Sequence, residues 1–94
     1  MKIEGVIWYR DIIDKIMWKQ NVTHKEVEEV FQNRPKFTFI QKGKIKNENL
    51  YSARGQTDAG RYITVLFIYK KTKEALIVTA RDMDSKERKK YGKK

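Results

Sequence analysis

Residues 61–70, RYITVLFIYK, constrain this chain more than any other stretch. Between an arginine and a lysine, the run is almost continuously apolar, β-branched and aromatic. A strand that reads apolar on both sides belongs in the middle of a sheet. The neighbouring segments supply its partners. Lys71-Thr72-Lys73-Glu74 turns the chain, and Ala75 to Arg81 (ALIVTAR) returns. Upstream, Gly55 to Gly60 forms a loop with glycine at both ends, preceded by a strand starting at Leu50 and running to Arg54. Before that, Phe37 and Phe39 alternate with Thr38 and Ile40, followed by a polar turn, QKGKIKNEN. Consecutive strands joined by short turns predict an antiparallel sheet.

The first third of the chain has a different period. Ile12, Ile13, Ile16 and Met17 recur at helical spacing, and Asn21 suits the left-handed residue that ends a helix. Thr23-His24-Lys25-Glu26 spells a capping box, with Val22 and Val27 placed as a hydrophobic staple. Val27, Val30 and Phe31 form the apolar stripe of that second helix, and Asn33 and Pro35 stop it. Residues 3–8 (IEGVIW) read as a short strand. Asp84-Ser85-Lys86-Glu87 resembles another capping box and opens a short helix through Tyr91. The order β-α-α-β-β-β-β-α predicts an α+β fold. It has an antiparallel sheet of four to five strands, two N-terminal helices and one short C-terminal helix.

With 94 residues the chain makes a single domain, 1–94, with a thin core and little room for an enclosed cavity. The absence of cysteine removes disulfide frameworks, thiolate zinc sites and cysteine nucleophiles. One histidine, His24, removes His-pair metal motifs and two-histidine ribonuclease chemistry; at the start of the second helix it is expected to face solvent. No apolar run approaches a membrane span, and the N-terminal apolar stretch is too short for a signal peptide, so the expectation is a cytoplasmic protein.

The net charge of +10 is unevenly placed. Residues 1–35 carry six basic and six acidic residues, so residues 36–94 hold the whole excess. After Ser85 come Lys86, Arg88, Lys89, Lys90, Lys93 and Lys94 against Glu87 alone, and the last few residues are expected to fray. A neutral third and a cationic remainder predict a polyanion-binding surface, nucleic acid before membrane. The plainer alternative is that the lysines serve solubility.

Arg61 begins the central strand and Arg81 ends its neighbour, which predicts two guanidinium groups near each other at one end of the sheet. Thr79 lies two residues before Arg81 and shares its face. Two arginine forks and a hydroxyl suit a phosphate. The alternative has Arg81 pairing with Asp82, Asp84 or Glu87 and clamping the last helix. Trp8 and Trp18, flanking the first helix, are expected in the core, and Tyr51, Tyr62 and Tyr69 in core or sheet-face packing. Glu48 stands in a lysine-rich stretch and reads either as a functional acid or as a loop charge paired with Lys46.

Several stretches, taken in order, resemble the BrnT family of type II toxins, which have a RelE-like fold. They are Trp8 before a helix; Asn21-Val22-Thr23 opening Glu26-Val27-Glu28-Glu29-Val30-Phe31; Gly55, Thr57 and Gly60-Arg61-Tyr62 leading into Val65-Leu66-Phe67; and Thr79-Ala80-Arg81-Asp82-Met83 with Glu87-Arg88 and Tyr91. Where family members often have Lys-His-Gly before the valine, this chain has Lys19-Gln20-Asn21, so no role for that histidine transfers. The resemblance implies a translation-inhibiting ribonuclease that needs no cofactor or metal, directs the RNA 2′-OH at the adjacent phosphate, and is silenced by a cognate antitoxin protein with a DNA-binding part. It implies Arg61 and Arg81 as transition-state cations, Thr79 as a hydrogen-bond donor, and Glu48 or a lysine of 42–46 as proton acceptor. Lys42, Lys44, Lys46 and Arg54 are the expected RNA contacts. The competing expectation is a non-catalytic RNA-binding module, or a degenerate toxin that only partners its antitoxin.

Overall fold

The computed structural model describes residues 1–92; Lys93 and Lys94, at the end of the terminal basic run, lie outside the described residues. The elements are β1 (Gly5–Ile7), α1 (Arg10–Gln20), α2 (His24–Gln32), β2 (Lys36–Gln41), β3 (Leu50–Gln56), β4 (Tyr62–Tyr69), β5 (Glu74–Asp82) and α3 (Ser85–Gly92). They form an α+β fold around one five-stranded sheet of order β1-β5-β4-β3-β2, with β4 at its centre. Strands β2 to β5 are antiparallel, as their short turns predict. β1 departs from that pattern and pairs parallel with β5, Val6 opposite Ala75. A parallel pair needs a long connection, and α1 and α2 with the strands after them supply it.

Both N-terminal helices begin and end as their sequences predict. Asn21 closes α1 at φ 54°, a left-handed conformation that asparagine tolerates. At α2, the Thr23 hydroxyl accepts the Glu26 amide at 3.1 Å, and Glu26 Oε1 accepts the Thr23 amide at 3.0 Å. That reciprocal cap is worth about 1 kcal/mol. The staple residues Val22 and Val27 are fully buried, with Val30 beside them. The α3 box also forms: the Glu87 amide donates to Asp84 Oδ1 at 2.8 Å and the Asp84 amide to Glu87 Oε1 at 3.0 Å.

The core lies between α1, α2 and one face of the sheet. Ile16, Val27 and Val30 meet Ala53, Ile63, Val65, Phe67, Ala75 and Ile77 there. Phe67 is its hub, with the Phe31 ring edge-on at 5.4 Å and Phe37 and Tyr51 at 6.0 Å. Trp8 packs against this core and its Nε1 donates to Glu28 at 3.3 Å. Trp18 does not: it is 84% exposed, because it points off the α1 face that carries Ile12 and Ile16. Gly55 proves to be a strand residue and not a loop end. A Cβ there would stand 3.2 Å from Pro35 Cβ and Val30 Cγ1, so the missing side chain lets α2 and its exit approach β3. The loop is correspondingly shorter, and Gly60 supplies its positive φ of 88°.

One irregularity decides what the sheet presents. In the β4–β5 pair, Phe67 faces Ile77 but Leu66 faces Thr79, leaving Val78 unpaired as a bulge. Before the bulge, Ala75 and Ile77 point to the core; after it, Ala80 does, and Arg81 turns away beside Thr64. No helix of the described residues is long and apolar enough to cross a membrane.

Candidate nucleic-acid interface

The two arginines expected to share a phosphate lie on opposite faces of the sheet. Arg61 sits in phase with Ile63 and Val65 and reaches the helix-covered side. Its Nε donates to Asp82 Oδ1 at 2.8 Å, and its Nη1 to the Asn21 carbonyl at 2.7 Å and to both Glu26 oxygens at 3.2 Å. It thus joins the end of α1, the start of α2 and the end of β5. Hydrogen bonds donated to Asp82 raise the pKa of Arg61 further above an already high value, and Glu26 adds to this against the opposing effect of burial. Burial works against the charge on Glu26, but the Thr23 amide and Arg61 outweigh it and hold its carboxyl below the usual 4.5. Arg61 also holds Asp82 below its usual 3.8.

Arg81 points the other way because of the Val78 bulge. Without that extra residue, strand alternation would put it on the same face as Arg61. Its Nη1 and Nη2 form a fork on Glu87, at 2.6 and 3.0 Å. This is the alternative in which Arg81 clamps the last helix, with Glu87 chosen from the three acids within reach. The fork, aided by the Asp84 amide and by Arg54, keeps the Glu87 carboxyl below 4.5 although burial opposes it. Thr79 shares this face, as its spacing predicts, opposite Leu66.

Register places the rest of the open face in two cross-strand rows. Lys36, Arg54, Thr64 and Arg81 stand side by side across β2, β3, β4 and β5. Thr38, Ser52, Leu66 and Thr79 form the next row. α3 runs along the first row, from Arg81 of β5 to Lys36 of β2, and its Glu87, Lys90 and Tyr91 fall at i, i+3 and i+4 and so share one helix side. Arg54 Nη2 lies 3.4 Å from Glu87 Oε2, giving that carboxylate a second arginine. The Lys36 ammonium donates to the Tyr91 carbonyl at 2.9 Å. The Arg88 guanidinium lies 4.2 Å from the centre of the Tyr62 ring, and the Tyr91 ring meets Tyr62 edge-on at 6.0 Å. Two adjoining hollows result, with Lys36 and Tyr91 lining both. One, of about 310 Å³, also has Thr38, Arg54 and Lys90. The other, of about 530 Å³, also has Gln56, Tyr62, Arg88, Lys89 and Gly92.

Glu48 belongs to neither hollow. It precedes β3, and its carboxylate pairs with Lys70 at 3.1 Å, not with Lys46. Leu50 alone is about 13 Å up the strand from Arg54 at ~3.3 Å per residue, and Glu48 lies beyond it. Lys42, Lys44 and Lys46 sit in the same β2–β3 connection, so of the four expected RNA contacts only Arg54 reaches the open-face cluster. Arg61, Arg81, Thr79 and Glu48 therefore do not assemble into one constellation. His24 is exposed, as its place at a helix start predicts, with the Trp8 ring edge-on at 6.2 Å. Tyr51 and Tyr69 pack against the core, whereas Tyr62 faces α3. Sequence reasoning missed Lys36, Tyr62, Arg88, Lys90 and Tyr91 as neighbours; the i, i+3, i+4 spacing within α3 was the available signal.

Comparison with models of known protein families finds no match for this chain, and comparison with curated proteins finds none.

Proposed function

We propose that this protein acts on RNA in the cytoplasm as a toxin of the type it resembles, with RNA lying across the open sheet face against α3. The observation that supports this reading is the row Lys36–Arg54–Thr64–Arg81, bordered by hydroxyls and by the cations and tyrosines of α3 and β4. Closely set cations neutralise phosphates, and aromatic rings take bases without demanding a sequence.

In the cleavage reaction the 2′-hydroxyl gives its proton to water as its oxygen bonds to the adjacent phosphorus, the bond from phosphorus to the 5′-oxygen breaks, and that oxygen takes a proton from water. The products are a 2′,3′-cyclic phosphate and a 5′-hydroxyl end. The pentacoordinate transition state carries more charge than the substrate, and a guanidinium fixed beside it lowers the barrier. Arg81 takes that role, with Thr79 on the same face. Arg61 is assigned to holding α1, α2 and β5 together. A cognate antitoxin with acidic or apolar residues covers the cationic face and silences the protein.

A specific observation favours the binding-only reading as the second one: Glu87 already occupies the Arg81 fork, and with its carboxyl held low it is a weak base. Incubating the purified chain with RNA separates the two. The toxin reading expects cyclic-phosphate ends and growth arrest on induced expression. Binding that falls with salt at a log–log slope of about −4, for about six phosphate contacts, but without cleavage, supports the second reading. A slope near zero sinks both.

A further inference from the structure

Beside the Arg81–Glu87 pair, the smaller hollow has features that a packing surface does not require. The Arg54 side chain is 20% exposed, yet its Nε has no hydrogen-bond partner among the described residues and its Nη2 meets Glu87 only at 3.4 Å. Next to it in the sheet, Thr64 opposite Arg54 and Ser52 opposite Thr38 carry buried hydroxyls that also lack a partner among the described residues. A buried polar group without a partner costs more than an apolar replacement would, so an under-bonded guanidinium at the edge of a hollow fits a site that receives an anion. The walls agree with that reading. Lys36 and Lys90 add two ammonium groups, Thr38 a hydroxyl and Tyr91 an aromatic side, around a cavity of about 310 Å³. Among the described residues no carboxylate lines the hollow, and the nearest one to Arg54, Glu87, is already engaged by the Arg81 fork.

We infer that this hollow is a subsite for one nucleotide of a single-stranded RNA. Its phosphate is held by Arg54, Lys36 and Lys90, and its base or ribose lies against Tyr91. The inference rests on the RNA reading above and adds to it a place and a unit of recognition. Arg54 supplies a guanidinium fork to the phosphate, whereas the lysines act as point charges. The Tyr91 ring borders both hollows, so it separates one nucleotide from the next. Sequence preference is weak here, because a phosphate and a stacked ring read no base edge.

The test is a titration of the isotope-labelled full chain with adenosine 5′-monophosphate, inorganic phosphate and adenosine, followed by amide chemical shifts. The expected result is saturable shifts with the mononucleotide at residues 36–38, 54 and 90–91. Tyr91→Ala should weaken them about tenfold, the scale of one lost stacking contact. Lys90→Ala, an exposed position whose loss leaves the fold intact, should weaken them severalfold. Inorganic phosphate producing equal affinity would overturn the nucleotide assignment, as would shifts confined to the hollow near Asn47, Tyr69 and Lys71 at the opposite end of the sheet. If the chain binds long RNA in a salt-dependent way but the mononucleotide moves nothing in this hollow, the subsite is wrong and the RNA reading stands. If long RNA also fails to bind, both fall.

Discussion

On the helix-covered face, Arg61 is enclosed by partners from three elements, the end of α1, Glu26 of α2 and Asp82 of β5. On the open face, Arg81 has one carboxylate, and its neighbours in the sheet are Thr64, Arg54 and Lys36. The two arginines are of one chemical kind and stand near the same end of the β4–β5 pair, Arg81 opposite Thr64 and Arg61 three residues before Thr64, yet they serve different ends. The first is spent on joining helices to strand. The second borders a cationic groove with room for a ligand. What separates them is a single unpaired residue, Val78, which reverses the facing of everything after it in β5. Chemistry in a sheet is therefore assigned by register before it is assigned by residue type.

The largest effect that sharpens this contrast is in packing. Phe67→Ala on the covered face should cost about 3–5 kcal/mol, because the rings around it cannot collapse into the space. Leu66→Ala, one residue away on the open face, should cost less than about 1.5 kcal/mol; urea unfolding of both variants measures the difference. Equal losses would mean that the open face is packed in solution as well.

Next come the arginines themselves. Arg81→Ala should cut RNA cleavage by about 10²-fold in a protein that remains folded, the scale for loss of one transition-state cation. Arg61→Ala should instead destabilise by about 2 kcal/mol, lowering the melting temperature by roughly 8–16 °C, with residual activity following the folded fraction. Cleavage and thermal unfolding on the same samples decide the matter, and the reverse pattern would exchange the roles assigned to the two faces.

Acid probes the same pairs more gently. Glu26, Asp82 and Glu87 each have a folded pKa below the ordinary value. The unfolded chain then binds more protons in that range, so stability is complete above the ordinary carboxylate values and falls as pH drops through the folded ones. Denaturation midpoints should decline below about pH 5. The decline should be shallower in Arg61→Ala, which has already lost the cation acting on two of the three groups. An unchanged acid slope in that variant would remove the ion-pair account of Arg61.

The smallest effect is expected at Glu48. Glu48→Gln should leave cleavage and stability within about 0.5 kcal/mol of the parent, since it breaks one partly exposed pair with Lys70 far from the groove. A hundredfold loss of cleavage would instead move the reaction to the β2–β3 end of the molecule.

Local signals made most of the fold legible. The Thr23–Glu26 and Asp84–Glu87 boxes, the Asn21 stop and the apolar run of β4 each act over a few residues, and each appears where its pattern predicts. What was not legible depends on long-range register. Nothing in ALIVTAR marks Val78 as the extra residue, so the face taken by Arg81 could not be read from spacing. The parallel pairing of β1 was hidden for the same reason, since no turn connects it to β5. Trp18 shows another limit: a large apolar residue beside an apolar stripe need not join it. In the groove, Arg54 and the α3 residues were visible separately, but their meeting requires knowing which sheet face α3 closes.

The pairing of Val6 with Ala75 has a consequence for how the protein comes into being. Chain synthesis is vectorial, and β1 emerges about 70 residues before the strand that receives it. At ~5–20 residues per second, that interval lasts roughly 4–14 s. During it, α1 has nowhere to bury Ile16, because the surface it packs on has not been translated. The β1–β5 pair and the packing of α1 on β5 therefore form only after the last strand has been made.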